Sequence, residues 1–320
     1  MLSCCSFLLS NVRAENSELS NVEYSEDEHP PSSKGVFSLL DKPHEKISSG
    51  LADFANRVDS YFSNEKNYYE ATGSFVRLTA DTVWDEESNE IGFTGDVRLK
   101  LNFPQTKKKL KFILESDSDQ NRSDVDPVLK DSPLDAADDE SYFAGLQSLS
   151  GENDQWIFRR TLGVKVRAPL DYFVRIRANK KYKFDVWRLR LDEGLFWFDS
   201  SGAGVDSSIE FDYDLANELL FRSRSYARWI NNDKNVDLSQ VFSIFQALGK
   251  RDLLAYQVGV YGETKPSIIA TEYLVAVRYR RNVHDDYLFL EIVPQLLFSK
   301  ERAFHPEHSI IFRFEWLFTG

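Results

Sequence analysis

The residues with the chemistry to bind a charged partner are arginines and carboxylates at every second position of many segments. Of the 17 cations on these alternating polar faces 14 are arginine, whereas lysine clusters in the connections. A rigid guanidinium fork pairs with anions through two parallel hydrogen bonds, so an enclosed polar interior favours arginine over lysine. The candidates for lining such an interior are Arg77, Arg98, Arg159, Arg167, Arg175, Arg177, Arg188, Arg190, Arg222, Arg224, Arg278, Asp192, Glu210, Asp212, Glu272 and Glu291.

These charges have two interpretations. Arg175, Arg177, Arg188 and Arg190 come from consecutive segments and form the densest basic patch. That patch would be an anion-facing wall, because rings of cations favour anions. Alternatively, the arginines and carboxylates pair across the interior and fill it. The sequence leaves both interpretations open.

The sequence shows no catalytic set. Its five histidines lie in the amino-terminal region or in connections, and neither G-x-S-x-G nor H-E-x-x-H occurs. The segment with His305 and His308 specifies no fourth ligand, which favours an exposed loop over a metal site. We therefore expect no catalytic residue, no cofactor and no metal.

Acidity limits the possible partners. The net charge of -12 argues against nucleic-acid binding, which needs a basic surface. Between Glu115 and Glu140, ten acidic residues stand against two basic ones, which is typical of a solvated loop. Cys4 and Cys5 are the two cysteines, so no disulfide or cysteine metal site is possible downstream of them.

The elements that position the charges are β-strands. From Gly73 onward polarity alternates with a period of two; in residues 91–103 apolar residues favour the odd positions and polar residues the even ones. Most segments span 9–13 residues, long enough to cross a bilayer at a tilt. Thirteen segments can be drawn, and such barrels have an even number of strands. We predict an all-β fold: a closed antiparallel up-and-down transmembrane β-barrel of about 12 strands, with 14 as the alternative.

The carboxy-terminal segment carries aromatic residues at alternate positions, namely Phe312, Phe314, Trp316 and Phe318. This segment resembles the final strand of Gram-negative outer-membrane β-barrel proteins, where it is the assembly signal. The chain departs from that pattern by ending Thr319-Gly320. The resemblance covers residues 73–320 and implies export through the periplasm, folding by the barrel assembly machinery and residence among outer-membrane lipids.

The amino-terminal quarter has a different organisation. Residues 1–14 resemble a truncated signal peptide, and residues 15–34 have the polar, Pro/Ser-rich composition of a disordered linker. Residues 35–70 form a predicted periplasmic helix region, because apolar residues recur at helical spacing between Ile47 and Phe62. This amphipathic helix either plugs the barrel mouth or packs on its rim or on the membrane surface.

The favoured function is a pore or transporter with a polar, arginine-rich lumen. The alternative is a structural or partner-binding barrel without conductance, with the acidic segment 115–140 as its docking element. A lipid-acting membrane enzyme ranks behind both, because no catalytic motif supports it. The sequence specifies neither solute nor oligomeric state.

Overall fold

The computed structural model describes residues 74–86, 90–102, 110–116, 142–151, 156–166, 169–216, 218–232, 235–284 and 287–319, together with Phe54, Arg57, Val58 and Tyr61. The predicted signal peptide and linker, most of the acidic segment, and Arg167 lie outside the described residues. The four separate residues are helical, but the extent of the predicted helix also lies outside the described residues. No helix in the described part of the chain is long and apolar enough to cross a membrane.

Fourteen antiparallel strands form one closed barrel, and each strand pairs with its neighbours in the chain until β14 pairs with β1. A single turn of 3-10 helix at Lys300–Arg302 lies between the last two strands. The strands are β1 (Phe75–Asp85), β2 (Glu90–Asn102), β3 (Leu110–Ser116), β4 (Tyr142–Ser150), β5 (Ile157–Val166), β6 (Asp171–Lys183), β7 (Trp187–Phe198), β8 (Gly202–Ala216), β9 (Leu219–Ile230), β10 (Val236–Ala247), β11 (Asp252–Glu263), β12 (Ile269–His284), β13 (Leu288–Ser299) and β14 (Pro306–Thr319).

The predicted closed antiparallel barrel is confirmed, and its strand number is the alternative of 14. The prediction of about 12 strands is wrong. The strand missing from the thirteen sequence segments is β4, whose interior-facing residues include Phe143, Gly145 and Gln147. Because no charge marks that face, the alternation that identifies the other strands is weak here.

The two faces of the wall are inverted relative to a water-soluble barrel. Phe93 and Leu162 point outward and are 75% and 63% exposed, whereas Arg280 and Glu291 point inward and are 0% and 1% exposed. A soluble barrel buries its apolar face, so this wall suits a medium of hydrocarbon. Apolar side chains such as Phe93 therefore point outward, and charged side chains such as Arg280 point inward.

Aromatic residues on the outer face gather near the strand ends. We call the end where β1 begins and β14 ends the termini end, and the opposite end the loop end. Trp84, Trp197 and Trp229 stand at the loop end of their strands, while Trp187 and Trp316 stand toward the termini end. Two such belts mark the interfaces of a membrane-spanning barrel, because indole rings prefer the headgroup level.

Candidate functional site

The barrel interior is the candidate functional site, because it collects the charged side chains that the outer face lacks. Alternation along the paired strands directs fifteen of the sixteen sequence candidates inward; Arg167 is not described. The carboxy-terminal aromatics Phe312, Phe314, Trp316 and Phe318 take outward positions on β14. Whether the fifteen residues line a conduit, and whether the aromatics direct assembly, stay predictions.

Buried ion pairs fill one side of the interior. The Glu291 carboxylate accepts hydrogen bonds from Arg278 Nε at 2.6 Å and from Arg280 at 2.9 Å, and Arg280 also donates to Glu315 at 2.5 Å. Arg313 holds Asp81 with two bonds of 2.8 and 2.7 Å. We call this group the ion-pair wall: Asp81, Arg278, Arg280, Glu291, Arg313 and Glu315.

Four members of the ion-pair wall, Asp81, Arg280, Arg313 and Glu315, are absent from the sequence candidates. The feature that could have identified these four residues is their inward-facing position beside opposite charges on the neighbouring strands. Charge-assisted bonds of this length stabilise buried ions only when each charge is matched, and here each carboxylate contacts at least one guanidinium. This side of the barrel is therefore packed with matched charges.

A second set of pairs lies on β7, β8 and β9. Arg222 donates two hydrogen bonds to Asp212, at 2.6 and 2.8 Å, and Arg188 donates to Asp214 at 3.0 Å. Arg190 contacts Asp192 at 2.8 Å, and the Asp192 side chain keeps 38% of its surface exposed. The pairing of this region is thus closer to solvent than the ion-pair wall.

The interior is unevenly charged around its circumference. Among the inward residues of β2–β6 whose side chains are described, nine are cations and three are acids. We call this group the basic sector; its cations are Arg98, Lys100, Lys111, Arg159, Lys165, Arg175, Arg177, Lys181 and Lys183, and its acids are Asp96, Glu115 and Asp171. Within it, Arg175 and Arg177 are half-buried, whereas Lys181 and Lys183 are exposed.

The helical residues occupy the termini end of the interior. Phe54, Val58 and Tyr61 belong to one apolar cluster with inward side chains of β9–β11 and β13, such as Leu253 and Phe289. The Tyr61 and Phe289 rings meet edge to face at 5.3 Å, and the Tyr61 hydroxyl donates to a backbone carbonyl in the connection between β10 and β11 at 3.5 Å. The described part of the predicted helix region therefore lies inside the mouth.

The described histidines lie at or near strand ends. No group of three or more His, Cys, Asp or Glu within the described ranges could hold a metal ion. His284 ends β12, His305 precedes β14 and His308 is exposed near the start of that strand.

Comparisons with known proteins find similarity in architecture. No protein-family model matches the chain, and the search of curated proteins finds no match. Among solved structures, a bacterial polysaccharide outer membrane secretin is 11% identical, with a TM-score of 0.47 over 78% of this chain and 99% of that one. The outer membrane channel DcaP of Acinetobacter baumannii is 7% identical, with a TM-score of 0.46 over 77% and 96%.

A KdgM porin in complex with oligogalacturonate is 9% identical, with a TM-score of 0.39 over 76% of this chain and 98% of that one. These neighbours are a porin and two outer-membrane proteins, and TM-scores below 0.5 carry no conclusion about this chain; its closed barrel follows from its own strand pairing. At such low identity the overlap says nothing about solute or mechanism. The solute and the mechanism must be inferred from the residues in the interior of this barrel.

Proposed function

We propose that the protein is a channel of the bacterial outer membrane that conducts small anionic solutes. The termini end would face the periplasm, as export through the periplasm requires. The observation that carries the proposal is the basic sector, in which nine inward cations outnumber three acids. An interior wall with excess cations concentrates anions and repels cations.

The solute path would follow β6 and β7 rather than the centre of the barrel. The ion-pair wall is sealed, since Arg280 and Glu291 have almost no exposed surface. In contrast, Arg175, Arg177 and Arg188 are partly exposed, and so is Asp192. Exposure on one side and matched burial on the other support an eccentric path beside the basic sector.

The helical segment would close this path at the termini end. Val58 is 0% exposed, and Arg57 lies 3.8 Å from Glu218 beside the start of β9. Together with the Tyr61 contacts, these interactions support a segment that plugs the barrel mouth, which we call the stopper, over packing on the rim alone. A channel with a seated stopper would conduct weakly until the segment leaves.

Ion selectivity in planar bilayers tests the proposal. In a potassium chloride gradient the purified full-length protein should give a reversal potential of the sign for anion preference. Replacing two exposed lysines of the basic sector in Lys181→Gln/Lys183→Gln should move that potential toward zero. The matched control is Lys180→Gln, because Lys180 immediately precedes Lys181 in sequence and lies on the outer face. Cation preference in the unmodified protein would overturn the proposal.

A structural or partner-binding barrel is the second candidate. The observations that favour it are the sealed ion-pair wall and the helical residues in the mouth, which both occupy interior space. If the full-length protein and a variant without residues 35–66 are both electrically silent in bilayers, this second function replaces the first.

A further inference from the structure

Four phenylalanines form a cluster on the inner face near the loop end of β4, β6 and β7. We call Phe143, Phe173, Phe196 and Phe198 the aromatic cluster; each ring is at most 6% exposed. Phe143 and Phe173 meet edge to face at 5.4 Å, Phe173 and Phe198 stack at 5.4 Å, and Phe196 contacts Phe198 at 5.7 Å. Four mutually packed rings make a rigid apolar patch inside an otherwise charged interior.

Two inward glycines let this cluster lie against the wall. A Cβ atom at Gly163 would approach Cε1 of Phe173 to 2.7 Å, and one at Gly204 would approach Cε2 of Phe196 to 2.3 Å. Both distances are far below ordinary van der Waals contact, so only glycine leaves room for the rings. The rings therefore rest on the backbone of the neighbouring strands instead of standing away from the wall.

Cations lie over the faces of these rings. The Arg175 guanidinium is 5.6 Å from the centroid of Phe173 and 5.9 Å from that of Phe143, and Lys165 Nζ is 5.4 Å from the Phe143 centroid. Arg228 lies 4.9 Å from the centroid of Phe196. A ring face attracts and orients a cation but leaves its positive charge in place, unlike a carboxylate.

Arg175 differs from the arginines of the ion-pair wall. Its neighbours across the strands are Thr161 and Phe196, and its neighbours along the inner face of β6 are Phe173 and Arg177. The diagonal positions add only Arg159, Phe198 and two glycines. None of these positions holds an acidic residue, and within the described part of the chain Arg175 makes no ion pair or hydrogen bond.

The nearest acids lie one or two positions further away. Asp171 stands opposite Lys165, and its carboxylate accepts hydrogen bonds from the Ser200 backbone N–H at 3.0 Å and from the Ser200 hydroxyl at 2.5 Å. Asp206 stands opposite Gly194 and Arg228, and a Cβ at Gly194 would lie 2.3 Å from its Oδ1. Both carboxylates thus belong to the surroundings of the cluster rather than to Arg175.

We propose that Arg175, held on the aromatic cluster and flanked by Lys165 and Arg177, is an oxyanion-binding subsite near the loop-end entrance. It binds the carboxylate or phosphate group of a small solute. The site rests on the proposed function, because it supplies the point at which an anionic solute is selected on entry. Apolar walls behind the cations strengthen their attraction for an oxyanion, since they replace water with a medium of lower dielectric constant.

Binding by the purified full-length protein in detergent tests the subsite without any need for conduction. Titration calorimetry at low salt should show saturable binding of glucose 6-phosphate and of inorganic phosphate, and none of glucose. Arg175→Gln should weaken binding of glucose 6-phosphate by about tenfold, as expected for loss of one charge-assisted hydrogen bond. Arg175→Lys should retain part of the affinity, because the charge stays over the rings.

The matched control is Arg281→Gln, which removes an exposed arginine from the outer face of β12 and should leave the affinity unchanged. Heat-modifiable migration on gels verifies that each variant is folded. Equal affinity in Arg175→Gln and the unmodified protein would overturn the subsite, as would equal affinity for glucose and glucose 6-phosphate. If binding is lost in Arg175→Gln while the unmodified protein carries no current, the subsite stands and the proposed conduction fails.

Discussion

The carboxylates of the ion-pair wall differ in how many guanidinium groups they contact. Glu291 contacts both Arg278 and Arg280, and Arg280 in turn contacts Glu315. At buried positions such a group is stable only while its charges are matched, because an uncompensated buried ion costs several kcal/mol. Among these carboxylates, Glu291 is therefore the one whose loss should destabilise the barrel most.

We expect Glu291→Gln to destabilise the barrel by about 3–5 kcal/mol, because it leaves the guanidinium groups of Arg278 and Arg280 without their shared carboxylate. Urea unfolding in phospholipid vesicles measures the change. Glu301→Gln, in the exposed 3-10 turn, is the control and should shift stability by less than about 0.5 kcal/mol. Equal unfolding curves for both variants would show that the ion-pair wall contributes little.

At the scale of single residues, the sequence predicts the face of the strand to which a side chain points better than it predicts the residue with which that side chain pairs. Alternation places Arg278 and Glu291 on the inner face, because successive side chains of a strand point to opposite sides. It does not predict the pairing of Arg313 with Asp81, which are 232 residues apart. That contact exists only because β14 closes onto β1 in one particular register.

At the scale of elements, the sequence patterns identify every strand except β4. The inner face of β4 has no charge: Phe143 packs in the aromatic cluster and Gly145 faces the interior. The inner face of β4 is shaped by contacts with β5 and β6, and an alternation of polarity along the sequence does not reveal such contacts. The strand number was therefore the part of the fold most exposed to error.

The role proposed for the helical residues in the mouth can be tested by substitution and by deletion. Val58 is 0% exposed within an apolar cluster, so Val58→Asp would place a carboxylate among Leu220, Leu253 and Phe289. Burying that charge costs more than about 1.4 kcal/mol, which reduces the seated population at least about tenfold. We expect the single-channel conductance of this variant to rise to that of a variant without residues 35–66.

Deletion of the predicted linker, residues 15–34, is the control for shortening the chain. It leaves Phe54, Val58 and Tyr61 in place, and the conductance should equal that of the full chain. The stopper hypothesis fails if the conductance is the same in the full chain, in Val58→Asp and in the variant without residues 35–66.

At the scale of the whole molecule, the barrel separates three environments. Apolar side chains such as Phe93 cover the outside, matched charges seal one side of the interior, and excess cations line β2–β6. Hydrocarbon, packed ions and the proposed aqueous path each require a different surface. Alternation alone lets one sheet present the first surface outward and the other two inward.

The requirement for hydrocarbon around the barrel gives the last prediction. Ile209 lies near the middle of β8 and Leu215 near its end, and both face outward with 48% of their surface exposed. In a bilayer, Ile209→Arg should cost about 2–4 kcal/mol and Leu215→Arg at most about 1 kcal/mol, because the cost of a lipid-facing charge falls toward the interface. Urea unfolding in vesicles measures both. A water-exposed wall would tolerate the two substitutions equally, so equal and small losses would contradict a membrane-spanning barrel.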